Sequence, residues 1–228
     1  DTGLGIRCYA DYGSASTLSI NNNTVHDNHG YGIQTHVYYY WGARSSFNLE
    51  IKDNQVYNNF NTGIVSDAGN IGSLIANNTV YNNQGDGITN SSSSIITRNT
   101  IYANRGDGIE SGGILTLLHN NIYNNLDCGI RVYAGSVSRI NYNNLYNNVN
   151  YELANQSGLA VDARYNFWGT STTQEMDQGP YPKNITKIYD FYDNAGYGVV
   201  DYSNWLSQSQ GLTDLPLSHI TDPEDSSY

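Results

Sequence analysis

The chain has 228 residues and carries 10 Lys and Arg against 21 Asp and Glu, a formal net charge of −11. No Lys and Arg cluster exists to grip a nucleic-acid backbone, and no run approaches the roughly 18 apolar residues of a membrane span. Its 32 Asn, 23 Gly and 21 Tyr disfavour helix interiors, yet 12 % aromatic residues spread along the chain are too many for disorder.

The chain opens inside a repeat. Gly5-Ile6 matches the Gly-Ile that closes each later unit, and Asp1 falls on a ladder position four residues earlier. The first coil is therefore expected to begin uncovered, with a partner or further coils against it. The unit reads Asn-x-apolar-Tyr-x-Asn, a short polar gap, then Gly-Ile. Its apolar anchors are Val25, Val56, Val80, Ile101, Ile122 and Leu145, with Trp168 ending the series. Their spacings are 31, 24, 21, 21, 23 and 23 residues. Asn23, Asn54, Asn78, Asn99, Asn120, Asn143 and Asn166 lie two residues before the anchors. Asn28, Asn59, Asn83, Asn104, Asn125 and Asn148 lie three residues after the first six. A second aliphatic column, Ile20, Ile51, Ile75, Ile96, Leu117 and Ile140, lies five residues before them.

Long 3.6-residue periodicities are absent, so helical repeats are excluded. Three short inward segments per unit, joined by Asn and Gly, predict a coil of three parallel strands stacked at about 4.8 Å. Asn at equivalent corners is expected to form amide ladders and to tolerate left-handed backbone. About seven coils would give a rod roughly 30–35 Å long. Residues 1–169 are read as coils, 170–206 as a cap over the last strand edges, and 207–228 as a polar tail that packs against a neighbour or links onward.

These residues carry a resemblance. NNTVYNNQGDGI (77–88), RNTIYANRGDGI (98–109), NNIYNNLDCGI (120–130) and DARYNFWGT (162–170) resemble the right-handed parallel β-helix superfamily, with pectate-lyase-like coils. The resemblance implies an all-β solenoid in a secreted or cell-surface protein. It leaves function open, because the same coils serve lyases, epimerases, hydrolases, adhesins and non-catalytic surface domains.

The longest interval holds the insertion QTHVYYYWGARSSF, with Tyr38, Tyr39, Tyr40, Trp41 and Arg44. It reads as a sugar platform, as a loop that buries its own Trp, or as a subunit contact. Tyr57, Tyr81, Tyr102, Tyr123 and Tyr146 each follow an anchor and so face outward. They read as a cross-strand stack, a glycan-binding stripe or an assembly face. In pectate-lyase-like enzymes, clustered aspartates hold Ca²⁺ beside an Arg or Lys. The nearest match is Asp86 and Asp107, with Asp127 and Arg105 nearby; Gly-Asp-Gly is also an ordinary turn. Glu110 and Arg131, in one column of adjacent coils, read as an exposed ion pair.

The five histidines lack a zinc spacing, so no metal or other cofactor is expected beyond that Ca²⁺ option. Cys8 and Cys128 lie roughly 24 Å apart by coil count, too far for a disulfide, and read as small core residues. Sequons occur at Asn22, Asn77, Asn90, Asn155 and Asn184, with Asn90 and Asn155 read as the loop acceptors. The functional expectation is a non-catalytic extracellular module, structural or glycan-contacting. Its partners would be copies of itself, another surface protein or a polysaccharide. The alternative is a lyase or epimerase of acidic polysaccharides.

Overall fold

The computed structural model describes residues 3, 5–11, 16–38, 47–67, 72–133 and 138–211. Every strand pairing among them is parallel, in two eight-stranded sheets and one six-stranded sheet. Each coil gives one strand to each sheet, as in Ile88–Asn90, Ser94–Thr97 and Thr100–Tyr102. The chain is a parallel β-solenoid of six full turns, counted on the third sheet. The expected seventh turn is incomplete, because Phe167 makes only an isolated bridge to Asn144.

The register stacks like on like. Val25, Val56, Val80, Ile101, Ile122 and Leu145 are successive partners in the third sheet. Ile33, Ile64, Ile88, Ile109, Ile130 and Leu153 do the same in the first. From Ile33 and Val56 onward these residues are fully buried. A one-residue slip would turn each column to solvent, so burial sets the register.

Each coil turns two corners on left-handed residues. Asn54, Asn78, Asn99, Asn120 and Asn143 follow one set, which includes Asp53, Asn77, Arg98, His119 and Tyr142 at φ 56–58°. Arg98, His119 and Tyr142 show that position in the coil, more than residue type, sets this conformation. The ladder side chains are almost wholly buried and fully engaged. Asn104 Oδ1 accepts from the Asn83 backbone N–H at 3.1 Å and from its Nδ2 at 3.0 Å. Asn104 Nδ2 donates onward to Asn125 Oδ1 at 3.0 Å and back to the Val80 carbonyl at 3.2 Å.

Glycine closes each coil because the next coil is too near for a side chain. A Cβ at Gly87 would lie 2.5 Å from Ile101 Cγ2 and 2.6 Å from the Gly108 carbonyl oxygen. At the sixth unit Glu152 takes this place and ends the ladder. Its Oε2 accepts from Asn148 Nδ2 at 2.5 Å, where a further Asn would otherwise stand. Lys187 Nζ donates to the carbonyls of Asn148 and Val149 at 2.8 and 2.9 Å.

Beyond the last turn, Trp168 is fully buried and the helix Thr170–Met176 buries Met176 beside it in the core. Ile188–Tyr189 and Val200–Asp201 then add final strands to the first and second sheets. This leaves fewer open edges at that end. The helix is short, and among the described residues no helix is long and apolar enough to cross a membrane. Residues 1, 2 and 4 and tail residues 212–228, which carried the expectations about uncovered ends, lie outside the described residues.

Replacing Asn104 with Leu strands the buried donors of Asn83 and leaves Asn125 without its incoming amide. At about 1–3 kcal/mol for an unsatisfied buried group, denaturant unfolding should show a loss of at least about 2 kcal/mol. An unchanged midpoint would mean that the ladder contributes nothing.

Candidate functional site

Two outward surfaces gather the chemistry. The first is on the third sheet, whose strands up to Asn121–Tyr123 each turn two side chains outward, while Asn144–Tyr146 turns out Tyr146 alone. Tyr57, Tyr81, Tyr102, Tyr123 and Tyr146 form one row, with successive ring centres 4.9, 5.0, 5.1 and 5.0 Å apart. Adjacent ring planes lie within 1–12° of parallel, and His26 stacks on Tyr57 at 4.8 Å. Each inner phenol therefore spends both faces on its neighbours and leaves its edge to solvent. Burial first, then neighbouring phenols, push the Tyr81, Tyr102 and Tyr123 hydroxyls above the ordinary range. Burial alone does so at Tyr146.

The second surface lies where the first sheet meets the preceding corner. Asp86 Oδ1 accepts the Asp107 N–H at 2.8 Å, and Asp107 Oδ1 accepts the Cys128 N–H at 2.8 Å. The Gly-Asp-Gly turns thus build a short carboxylate ladder one coil apart. Arg131 grips Asp107 with two bonds of 2.7 and 3.0 Å and reaches Asp127 at 2.8 Å. The expected Glu110–Arg131 pair is corrected: the guanidinium leans diagonally to the buried Asp107, which offers two oxygens. Arg105 is exposed, and Arg131 is the cation at Asp107. Burial pushes the Asp107 carboxyl up against the pull of Arg131 and the Cys128 N–H. The carboxylates hold Arg131 firmly protonated.

Glu110 is left beside Asp86 and Asp107, all three offering an oxygen within 4.8 Å of one another. Burial first, then the Asp86 charge, pushes its carboxyl up to about 7. Such a carboxyl can give or take a proton near neutrality. The sequence showed the Glu110 and Arg131 column and the Asp86 and Asp107 column. It did not show that the pairing crosses between them.

The other expected site residues do not join these surfaces. Tyr38 closes the strand Ile33–Tyr38, while Tyr39, Tyr40, Trp41 and Arg44 lie outside the described residues. Asn90 and Asn155, read as loop sequons, are corrected. Both sit in strands, 1 % and 0 % exposed. Their amides donate to the Ser92 carbonyl at 2.6 Å and to the Leu159 carbonyl at 2.9 Å. Asn22, Asn77 and Asn184 are exposed. Cys8 packs against the core and Cys128 is buried, both as free thiols. Cys128 belongs to the acidic corner, where its Sγ lies 3.5 Å from Asp127 Oδ1, and burial pushes its thiol up.

The acidic corner and the ladder end make stability depend on pH. Glu152, 2 % exposed, is also pushed up to about 7, by burial against the pull of Asn148 and Lys187. Both glutamates have folded values above their ordinary 4.5. Their contribution is therefore full below that value and is lost as pH rises through about 7. For Glu152 the loss approaches about 3 kcal/mol. The thermal midpoint should fall between pH 5 and 8, and the slope should flatten in Glu152→Gln. A midpoint that rises across this window would contradict the assignment.

The fold and these surfaces can be set beside known proteins. The A-module of Azotobacter vinelandii mannuronan C-5 epimerase AlgE4 is similar at a TM-score of 0.51 and 18 % identity. The likeness covers 86 % of this chain and 63 % of that one, and it shows the fold alone. This chain thus spans less than two thirds of that module. No curated protein matches it. The family model "Periplasmic copper-binding protein (NosD)" matches residues 9–183.

Copper favours imidazole, thiolate and thioether ligands. Among the described residues, the clusters able to hold a metal are Asp107, Asp127, Cys128 and Asp86, Asp107, Glu110. Neither contains an imidazole, and their one thiol is held protonated beside Asp127. Met176 is sealed in the cap at 2 % exposure. His26 and His36 each sit 2.6 Å from a single aspartate, Asp27 and Asp67. These donors do not fit copper, whereas the match itself runs over more than three quarters of the sequence: the chain belongs to the NosD family.

Proposed function

We propose that this chain is a non-catalytic β-helix module that works outside the cytoplasm and contacts polysaccharide. It would form part of a surface assembly with copies of itself or with another surface protein. The family description as periplasmic supports the location. The observation that carries the reading is the phenol row, five aromatic side chains in register along one side of a rigid rod. The acidic corner weighs against a lyase or epimerase of acidic polysaccharides. The cation bound at Asp107, Arg131, is already held by two carboxylates and so is not free to neutralise a uronate. The surrounding carboxylates repel a polyanion.

One observation favours the enzymatic alternative. Glu110, at about 7, lies next to Asp86 on the outer face of the first sheet and could exchange a proton with a sugar. Two measurements separate the readings. Insoluble polysaccharides should retain the protein in a sedimentation assay, and retention by none of a broad panel would sink the proposal. Incubation with pectate or alginate, with and without Ca²⁺, should give neither unsaturated products nor altered uronate epimers. Turnover that disappears in Glu110→Gln or Asp107→Ala would establish the enzyme instead.

A further inference from the structure

We propose that the outer face of the third sheet docks an extended, neutral, β-1,4-linked glycan, held edge-on by the row of phenol hydroxyls. This rests on the polysaccharide-contacting reading above and names its surface and ligand class.

Pitch is the first support. Each central coil shows one polar side chain and one phenol on this face, as with Thr79 and Tyr81 or Thr100 and Tyr102. The phenols recur every 4.9–5.1 Å along the rod. A pyranose unit in an extended β-1,4-linked chain is about as long as one coil is high. Successive sugars along the axis therefore each meet an equivalent side-chain pair, and because alternate sugars of a β-1,4 chain are flipped, the same sugar edge returns at every second coil.

Ring orientation is the second support, and it sets the mode of contact. The usual way an aromatic holds a sugar is face to face, and here the inner faces are taken. What remains is a line of ring edges carrying hydroxyls. Among the described residues none bonds to those of Tyr81, Tyr102 and Tyr123. Their raised pKa values keep them protonated, so each both donates to and accepts from a sugar hydroxyl. The neighbouring row shows how such a surface grips a polar partner. At its end Asn144 accepts from the Gln210 N–H at 2.9 Å and donates to the Gln210 carbonyl at 2.7 Å.

Charge is the third support. The strands Gln55–Tyr57, Thr79–Tyr81, Thr100–Tyr102 and Asn121–Tyr123 carry no ionisable group but the phenols, in a chain of net charge −11. Among the described residues, those four strands offer a polyuronate no cation, and the net negative charge of the chain sets a repulsive field around them. A neutral glycan loses nothing on either count.

The test is calorimetric titration with cellohexaose, and with hexagalacturonate as the acidic control. The variant changes Tyr81, Tyr102 and Tyr123 together to Phe, which removes the hydroxyls and keeps the stack. Cellohexaose should bind the parent, hexagalacturonate should bind more weakly, and the variant should lose about tenfold or more in affinity at an unchanged thermal midpoint. A face-stacking site would tolerate Phe, so parent-like binding by the variant overturns the inference. Tighter binding of hexagalacturonate also overturns it. If polysaccharide is still retained but the Phe variant behaves as the parent, contact lies elsewhere: this inference fails and the broader reading stands. If the parent binds no hexasaccharide and sedimentation shows a dimer that the variant dissolves, the face belongs to a second copy. If the parent binds none and stays monomeric, the inference fails outright.

Discussion

The structure depends on the buried asparagine corner. A three-sheet solenoid must bend from one sheet to the next within two or three residues and still pair every strand with the next coil. The chain does this by putting one residue in the left-handed region and burying the next, an Asn, under the corner. That Asn satisfies the N–H and amide of the coil before it and the open carbonyls of the bend. A corner without it would bury several unpaired polar groups at about 1–3 kcal/mol each, which a domain stable by roughly 5–15 kcal/mol cannot carry at every turn.

Once the corners repeat, everything outside them inherits the pitch. Inward aliphatics stack into a core, and outward residues at equivalent positions are forced into columns about one strand spacing apart. The columns then differ only in chemistry. Tyrosines one coil apart stack face to face and offer edges. Aspartates one coil apart pass backbone hydrogen bonds along and collect charge, which one arginine partly offsets. The neutral column and the charged column lie on different sheets of one rod, so a ligand that suits one is disfavoured at the other.

Whatever depends on position within the repeat was legible in the sequence. The aliphatic anchors, both Asn ladders and the Gly-Ile closures are local, and the structure stacks them as the spacing implies. The outward direction of the five tyrosines follows from the same parity. Whatever depends on side chains crossing between columns was not legible. Arg131 bypasses Glu110, its neighbour in register, for Asp107, whose buried carboxylate meets the guanidinium with both oxygens. Asn90 and Asn155 look like loop residues beside their serines, yet their amides turn inward to bond carbonyls at the coil corner. Glu152 marks the end of the second ladder in the sequence, but its bond to Asn148 is visible only in three dimensions.

The most direct test of this account is exchange at the ladder amides themselves. In ¹⁵N-labelled protein, the Nδ2 protons of Asn54, Asn78, Asn99, Asn120 and Asn143 should exchange with solvent as slowly as the backbone amides of Ile96 and Ile101. Exposed Asn77 and Asn124 should exchange fast. If the ladder amides exchange as fast as those exposed ones, the corners are solvated and the coil is held by its aliphatic columns alone.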